Sequence, residues 1–282
     1  MSGFSTQWLA LREPADHRAR HDAVQAACAE RFSGQGTLDV IDFGCGTGSN
    51  LRALAACLPA RQNWRLVDFD PELLTAARSA LCLWADSHED MGEHLRLHKH
   101  GKLLAVQFCQ ADLMVDLEPL LAHADGLVTA AALFDLCSPS WIARFVKALA
   151  ARNLPLLAVL TYNGEEAWSP AHCSDAAMLK AFIAHQHRDK GFGPASGPYA
   201  PDLLMQALGA HGYSFVQGAS PWRLGAGEAG LIRALAEGSA QAVLETGRLP
   251  VAEILRWQAA RAAATTCKIG HTDLFATPAQ SR

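Results

Sequence analysis

The sequence lacks the features of a disulfide-bonded, membrane-spanning or polyanion-binding protein. Its eight cysteines are scattered without a Cys-x-x-Cys pair, which argues against a disulfide framework and a zinc site. No apolar run reaches the length of a membrane span, and no basic region followed by an apolar core marks a secretory signal. Basic side chains number 24 against 28 acidic ones, so binding to long nucleic acid has little electrostatic support. We therefore expect a soluble cytoplasmic protein without a membrane partner, and the charge balance disfavours a nucleic-acid partner.

A glycine-rich turn is the most informative stretch of the chain. Residues 40–50 read VIDFGCGTGSN, in which an apolar run ends in an acid and three glycines follow at alternate positions. A helix start comes directly behind them, and strand, glycine turn and helix together indicate a nucleotide crevice. A dinucleotide fingerprint would need glycine where Ser49 stands, and a P-loop would need a lysine that does not follow these glycines. The spacing that remains is Asp-x-Gly-x-Gly-x-Gly.

Predicted strands alternate with predicted helices through the middle of the chain. Such alternation favours a parallel sheet covered by helices on both faces. Alternating residues around a Gly101-Lys102 turn predict one hairpin. The predicted strands are 38–43, 64–68, 126–131 and 154–162, the hairpin is 94–110, and a final strand is expected at 268–277.

Three motifs resemble, in the right order, those of the class I S-adenosylmethionine-dependent methyltransferases. The first is the glycine turn, the second is VDFDPELL at residues 67–74, and the third is QADL at residues 110–113. The resemblance covers roughly residues 38–162. It implies S-adenosyl-L-methionine as the cofactor and an α/β, Rossmann-like doubly wound sheet of about seven strands, mostly parallel with an antiparallel last strand.

Helical additions flank this predicted core at both ends. Residues 1–35 are expected to form an N-terminal helical cap, with a helical stretch at 5–32 broken at Pro14. Residues 36–165 would form the cofactor-binding core. Residues 166–282 would complete the sheet and add a helical substrate cap.

The resemblance implies a role for each cofactor-binding residue. Asp42 would meet the positive amino-acid end of the cofactor, directly or through water, and Asp68 would accept hydrogen bonds from both ribose hydroxyls. Asp112 would accept one from the adenine amino group, with the Leu113 amide at a ring nitrogen; a plain loop acid is the alternative for Asp112. Phe69 would lie along the adenine face. The turn supplies the remaining members, Gly44, Cys45, Gly46, Gly48 and Asn50.

The candidate catalytic residues are Asp135, Tyr162 and His185. Asp135 follows the fourth strand and could orient a substrate or act as a base, although a capping or loop role is the alternative. Tyr162 ends the fifth strand, where it either lines the crevice mouth or is a core or rim tyrosine. His185 belongs to a polar cluster between a helix and a flexible loop, as in a substrate lid, or it is a buried structural histidine.

No metal site is predicted. His94, His98 and His100 share one strand face, but no carboxylate or thiol joins them and basic neighbours would repel a cation. A solvated basic face is the better interpretation.

Transfer of a methyl group to a small or medium-sized metabolite, by a monomer or homodimer, is the predicted function. The chain lacks an Asn/Asp-Pro-Pro-Tyr/Phe motif after the fourth strand, which weakens a base-methylating interpretation. An RNA or protein methyltransferase and a non-catalytic S-adenosylmethionine-binding module remain the alternatives.

Overall fold

The computed structural model describes residues 4–279, which form ten strands and ten α-helices. The strands are β1 (Thr37–Phe43), β2 (Arg61–Asp68), β3 (Ser87–Asp90), β4 (His94–Lys99), β5 (Lys102–Gln110), β6 (Leu127–Ala131), β7 (Leu156–Ser169), β8 (Tyr213–Ala219), β9 (Trp222–Leu224) and β10 (Thr266–Pro278). The helices are α1 (Thr6–Ala19), α2 (Asp22–Phe32), α3 (Ser49–Leu54), α4 (Pro71–Trp84), α5 (Leu117–Ala122), α6 (Pro139–Ala151), α7 (Asp175–Gln186), α8 (Ala200–Ala210), α9 (Ala229–Thr246) and α10 (Val251–Ala262). None of these helices is both long and apolar enough to cross a bilayer.

All ten strands belong to one sheet in the order β3-β4-β5-β2-β1-β6-β7-β10-β8, with β9 paired to β10. Strands β5, β2, β1, β6 and β7 form a parallel centre, and β10 runs antiparallel between β7 and β8. The predicted fold class is confirmed, including the antiparallel last strand. The sheet is larger than the seven or so strands expected, because β3 and β4 extend it beyond β5 and the short β9 joins β10.

The helices cover both faces of the sheet, and the alternation of side chains along β1 explains how. Leu38 and Val40 point into an apolar cluster shared with α2, α3 and α4. Ile41 and Phe43 join the opposite cluster, which is built with α5, α6 and α8. Since successive strand side chains face opposite sides, one short apolar strand supports both layers.

The predicted break at Pro14 is wrong. Pro14 lies inside α1, and the helical stretch is interrupted at Arg20 and His21 instead. An interior proline costs about 3 kcal/mol or more because it removes a helix hydrogen bond. The residues after Pro14 pack into the molecule, where Asp16 accepts hydrogen bonds from the indole Nε1 of Trp222 at 3.0 Å and from Arg12. These contacts hold the helix through the proline.

Strands β7 and β10 pair well beyond the parallel centre, from Ala276 opposite Leu156 to Thr266 opposite Ser169. A third apolar cluster lies on this extension and contains residues of α1, α7, α9 and α10. The extension therefore places the N-terminal and C-terminal helices over the end of the sheet where the parallel strands finish.

Candidate functional site

A cavity of about 730 Å³ lies at the carboxyl ends of the parallel strands. This is the edge where open α/β sheets bind ligands, because the loops after neighbouring strands converge there. Helices α1, α7 and α9 also contribute to its wall. The site residues predicted from the sequence that line it are Gly44, Cys45, Gly46, Asn50, Asp68, Phe69, Asp112, Leu113, Asp135, Tyr162 and His185.

The glycine turn passes along one wall of this cavity in a conformation that needs glycine. Gly44, Gly46 and Gly48 have φ angles of +64°, +53° and +75°, in the left-handed region that other residues rarely adopt. An added Cβ would lie 3.2 Å from Leu133 at Gly44, and 3.2 Å from Leu9 at Gly46. The turn is therefore both bent and closely covered. Gly48 does not line the cavity; it begins α3 behind the turn.

Asp42 lies beneath the cavity rather than on its surface. Its side chain is fully buried, and its Oδ1 accepts a hydrogen bond of 2.8 Å from the Asn50 amide. Burial raises the pKa of Asp42 to about 7, while the Asn50 hydrogen bond and the nearby Arg20 charge oppose the rise. Any effect of Asp42 on a ligand would pass through Asn50, which does line the cavity.

Arg20 completes this network, although it was not predicted as a site residue from the sequence. Its Nη2 donates to Asn50 Oδ1 at 3.0 Å, but its buried Nε and Nη1 have no hydrogen-bond partner. The side chain is 7% exposed and lines the cavity. Burial lowers the pKa of the guanidinium, as expected where a charge has lost water without full compensation.

Asp68 links the end of β2 to the glycine turn. Its Oδ2 accepts from the Gly46 amide at 2.8 Å, and its Oδ1 accepts from the Asp70 amide at 3.0 Å. Burial is the main reason that its pKa is raised. Asp70 has a different task, since it caps α4 by accepting a 2.8 Å hydrogen bond from the Glu72 amide.

Asp112 both lines the cavity and shapes its own loop. Its Oδ1 accepts from the Met114 amide at 2.8 Å, while its amide donates to Asp116 at 2.9 Å. The two alternatives predicted for Asp112, a ligand contact and a plain loop acid, are therefore compatible with each other. Leu113 is buried beside it.

Asp135 is a buried acid on the cavity wall. It follows β6 in a short 3-10 turn, Phe134–Leu136, and its Oδ1 is buried without a hydrogen-bond partner. Burial raises the pKa of Asp135 to about 6, partly opposed by the charge of Arg12. A carboxyl with this pKa is ionised at neutral pH. Its pKa is also close enough to neutral for the carboxylate to accept a proton efficiently.

Tyr162 is a hydrogen-bond donor inside the cavity. Its hydroxyl donates to Glu166 Oε1 at 2.9 Å, and the indole of Trp168 donates to Glu166 Oε2 at 3.4 Å. Burial, followed by the nearby Glu166 charge, raises the pKa of the Tyr162 phenol far above its usual value. Tyr162 therefore stays protonated, and Glu166 is the acid that it positions. Burial also raises the pKa of Glu166.

His185 connects two helices at the rim. Its Nε2 lies 3.0 Å from a carboxylate oxygen of Glu245, which joins α7 to α9, while its other ring nitrogen lies 3.5 Å from Lys190 Nζ. The side chain is 13% exposed. The histidine thus has a structural contact and a place on the cavity wall at once.

Glu166 and His271 were not predicted as site residues. Neither lies next to a recognisable motif: Glu166 follows the predicted end of the strand at Tyr162, and His271 lies inside the predicted final strand. Only the pairing of the extended β7 with β10 brings them to the cavity. Burial lowers the pKa of His271 to about 3, so its imidazole remains neutral.

Across residues 4–279, no group of three or more His, Cys, Asp or Glu side chains is arranged to hold a metal ion. His94 and His98 are exposed on β4, as a solvated face requires. A smaller cavity of about 490 Å³ also touches Arg20, but none of the predicted site residues lines it.

Comparison with known proteins supports the fold through structure alone. No protein-family model and no curated protein sequence matches the chain. A cyclopropane-fatty-acyl-phospholipid synthase-like protein from Lactobacillus casei matches its structure with a TM-score of 0.53 at 18% identity, covering 97% of this chain and 94% of that one. The cyclopropane synthase MmaA2 from Mycobacterium tuberculosis matches with a TM-score of 0.51 at 12% identity, covering 97% and 95%. The sheet order, the glycine turn at the strand ends and these matches agree, and the chain has the class I methyltransferase fold.

Proposed function

We propose that this protein transfers the methyl group of S-adenosyl-L-methionine to a small or medium-sized metabolite. The observation that carries the proposal is the buried Arg20, whose Nε and Nη1 have no partner, beside a glycine turn whose Gly46 amide is bonded to Asp68. A ligand that suits this wall has two neighbouring hydroxyls that donate to the Asp68 carboxylate. It also has a carboxylate of its own that pairs with the Arg20 guanidinium. The adenosyl and methionyl ends of the donor supply both.

The same wall disfavours a pyrophosphate-bearing coenzyme. In phosphate-binding turns the backbone amides point at the phosphate oxygens. Here the Gly46 amide already donates to Asp68 at 2.8 Å, and the Asp68 carboxylate would repel a phosphate placed at the turn. A sulfonium is positively charged and has no such conflict with the acidic wall.

Each side chain of this half of the cavity has a proposed task. Asp68 would accept the ribose hydroxyls, and Asp112 with the Leu113 amide would hold the adenine, which Phe69 covers. Arg20 would bind the carboxylate of the methionyl end. Asn50, held by Asp42 and Arg20 at 2.8 and 3.0 Å, would orient the same end. When bound, the cofactor supplies an electrophilic methyl group, which these side chains hold in position.

The size of the cavity and the net charge of the chain favour a metabolite as the acceptor. About 730 Å³ is in the range of small-molecule sites, and α1, α7 and α9 contribute to its wall. The net charge of −4 gives no attraction for RNA.

Titration calorimetry with S-adenosylmethionine, S-adenosylhomocysteine and NADH tests the proposal. Micromolar binding of both sulfur ligands and none of NADH is expected. Transfer of a labelled methyl group to the small-molecule fraction of a cell extract, rather than to its RNA or protein, should accompany it. Binding of NADH alone, or label found only in polymer, would contradict the proposal.

Replacing Arg20 by methionine tests the methionyl end separately. We expect the dissociation constant of S-adenosylhomocysteine to rise about 10- to 100-fold, because a charge-assisted hydrogen-bonded pair contributes about 1.5–3 kcal/mol. Adenosine lacks the carboxylate, so its affinity should not change. Calorimetry with the two ligands measures the difference.

Arg18→Met is the matched control for this variant. Arg18 lies two residues earlier on α1, its side chain is 53% exposed, and it pairs with Glu228 on the surface. Both ligands should bind this control as they bind the wild type. Equal losses of adenosine and S-adenosylhomocysteine in Arg20→Met would point to a damaged fold and not to a lost carboxylate contact.

A further inference from the structure

Five aromatic rings form a continuous row along the wall of the cavity. The ring centroids of Trp8 and Trp222 are 6.5 Å apart, those of Trp222 and His271 5.0 Å, those of His271 and Tyr162 6.4 Å, and those of Tyr162 and Phe182 6.2 Å. All five side chains line the cavity. These five side chains make up the aromatic wall.

Two acids accompany the aromatic wall without a basic partner. Glu166 is bonded to the hydroxyl of Tyr162, and the Oδ1 of Asp135 has no partner at all. In the part of the chain that the structure describes, neither carboxyl forms an ion pair with lysine, arginine or histidine. Asp135 is buried and Glu166 half-buried, and a carboxylate withdrawn from water without an ion-pair partner is unfavourable, so a ligand cation would stabilise it.

Arg12 lines the same cavity, and its charge is already paired. Its Nε and Nη2 bond the two carboxylate oxygens of Asp16 at 2.9 and 3.2 Å. Its guanidinium also lies 5.0 Å from the ring centroid of Trp222. Near the other end of the aromatic wall, Lys190 and His185 line the cavity, but His185 bonds Glu245 and neither residue forms an ion pair with Glu166.

Aromatic faces and an unpaired carboxylate together recognise organic ammonium groups. Resting on the proposed function, we propose that the methyl acceptor is a small primary or secondary amine that carries an apolar or aromatic group. Its ammonium lies at Glu166, and its apolar part lies against the aromatic wall. The reaction is N-methylation.

The transfer balances without any further reactant. The ammonium gives one proton to the carboxylate of Asp135 and becomes a neutral amine. The nitrogen lone pair forms the new C–N bond while the C–S bond of the donor breaks, and that electron pair stays on sulfur as a thioether. The products are the methylated ammonium and S-adenosylhomocysteine.

Calorimetry on the protein saturated with S-adenosylhomocysteine tests the inference with three probes of similar shape. These are 2-phenylethylamine, 2-phenylethanol and 3-phenylpropanoate, which are cationic, neutral and anionic at pH 7.5. The amine should bind at least about tenfold more tightly than the alcohol, and the carboxylate should bind worst. Equal or tighter binding of the alcohol or the carboxylate, or no binding of the amine, overturns the inference.

Two neighbouring substitutions identify the group responsible. Glu166→Gln keeps the shape and a hydrogen bond to Tyr162 but removes the charge, so the advantage of the amine over the alcohol should fall about tenfold or more. Glu165→Gln is the matched control, because Glu165 is exposed and pairs with Lys268 on the surface. An undiminished preference for the amine in Glu166→Gln with an unchanged melting temperature also overturns the inference.

The saturation step separates this inference from the proposed function. If S-adenosylhomocysteine does not bind the wild type, the proposed function fails first. If it binds and the amine shows no preference, only the amine inference fails. If both hold, mass spectrometry of the product from labelled donor and 2-phenylethylamine should find the methyl group on nitrogen.

Discussion

Asp135→Asn is expected to lower turnover about 100- to 10,000-fold, the range typical of losing a general base. The acid lines the cavity with an unpartnered Oδ1, and burial raises its pKa to about 6, so it is ionised and available to accept a proton at neutral pH. The dissociation constant of S-adenosylhomocysteine should not change, because the residues proposed to bind it lie on other loops. Steady-state kinetics and calorimetry measure the two effects.

The pH profile of the wild type provides a second measurement of the same carboxyl. Turnover should fall as the pH drops through about 6, because protonated Asp135 cannot accept a proton, and this limb should disappear in Asp135→Asn. Asp125→Asn, at an exposed loop acid, is the control and should keep it. A normal turnover in Asp135→Asn, with the limb intact, would remove Asp135 from the base role.

As the pH rises through about 6, the free energy of unfolding should fall while turnover rises. The folded pKa of Asp135 is raised from 3.8 to about 6, so the folded protein binds more protons than the unfolded chain in that window. The free energy of unfolding therefore decreases as the pH rises through it. Asp135→Asn removes that loss and should be at least as stable as the wild type at pH 8. A fall in its melting temperature there would mean that the turnover loss reflects damage to the fold.

Phe145→Ala should lower the free energy of unfolding by about 3–5 kcal/mol, the usual cost of truncating a buried phenylalanine. Phe145 is fully buried and its ring lies 6.2 Å from Phe43, 5.2 Å from Phe134 and 5.5 Å from Trp141 between ring centroids. These contacts join α6 to β1 and to the turn that carries Asp135. Urea unfolding followed by circular dichroism measures the loss.

Leu83→Ala is the matched control for this core variant. Leu83 lies on α4 and is 89% exposed, so its truncation should change stability by no more than about 0.5 kcal/mol. A loss below about 1 kcal/mol in Phe145→Ala would mean that the site relaxes to fill the cavity, contrary to the tight aromatic packing.

The part of the cavity at the glycine turn was predictable because its signals are local. Asp68 ends β2 and the glycine turn follows β1 directly, and parallel strands bring their carboxyl ends to one edge. Positive φ angles at Gly44, Gly46 and Gly48 explain why these three positions of the turn are glycine. Their predicted contacts with the cofactor stay predictions until binding is measured.

The rest of the cavity was not predictable, for identifiable reasons. β7 was expected to end at Tyr162, because the residues that follow are polar and show no buried-strand pattern, yet it continues to Ser169 by pairing with β10. Pro14 suggested a helix break that tertiary contacts override. Trp8 and Trp222 meet only because α1 packs against β9 and α9.

The alternation of strands and helices in the middle of the chain and the glycine turn at the end of β1 were determined by the sequence by itself, since each depends on neighbouring residues. The tertiary structure alone decided that Arg20 is buried with its Nε and Nη1 unpartnered, that Glu166 and His271 reach the cavity, and that five rings form one wall. The physical reason is distance along the chain. Contacts such as Asp16 with Trp222 join residues 206 positions apart, and no local pattern encodes a pair that only the folded packing brings together.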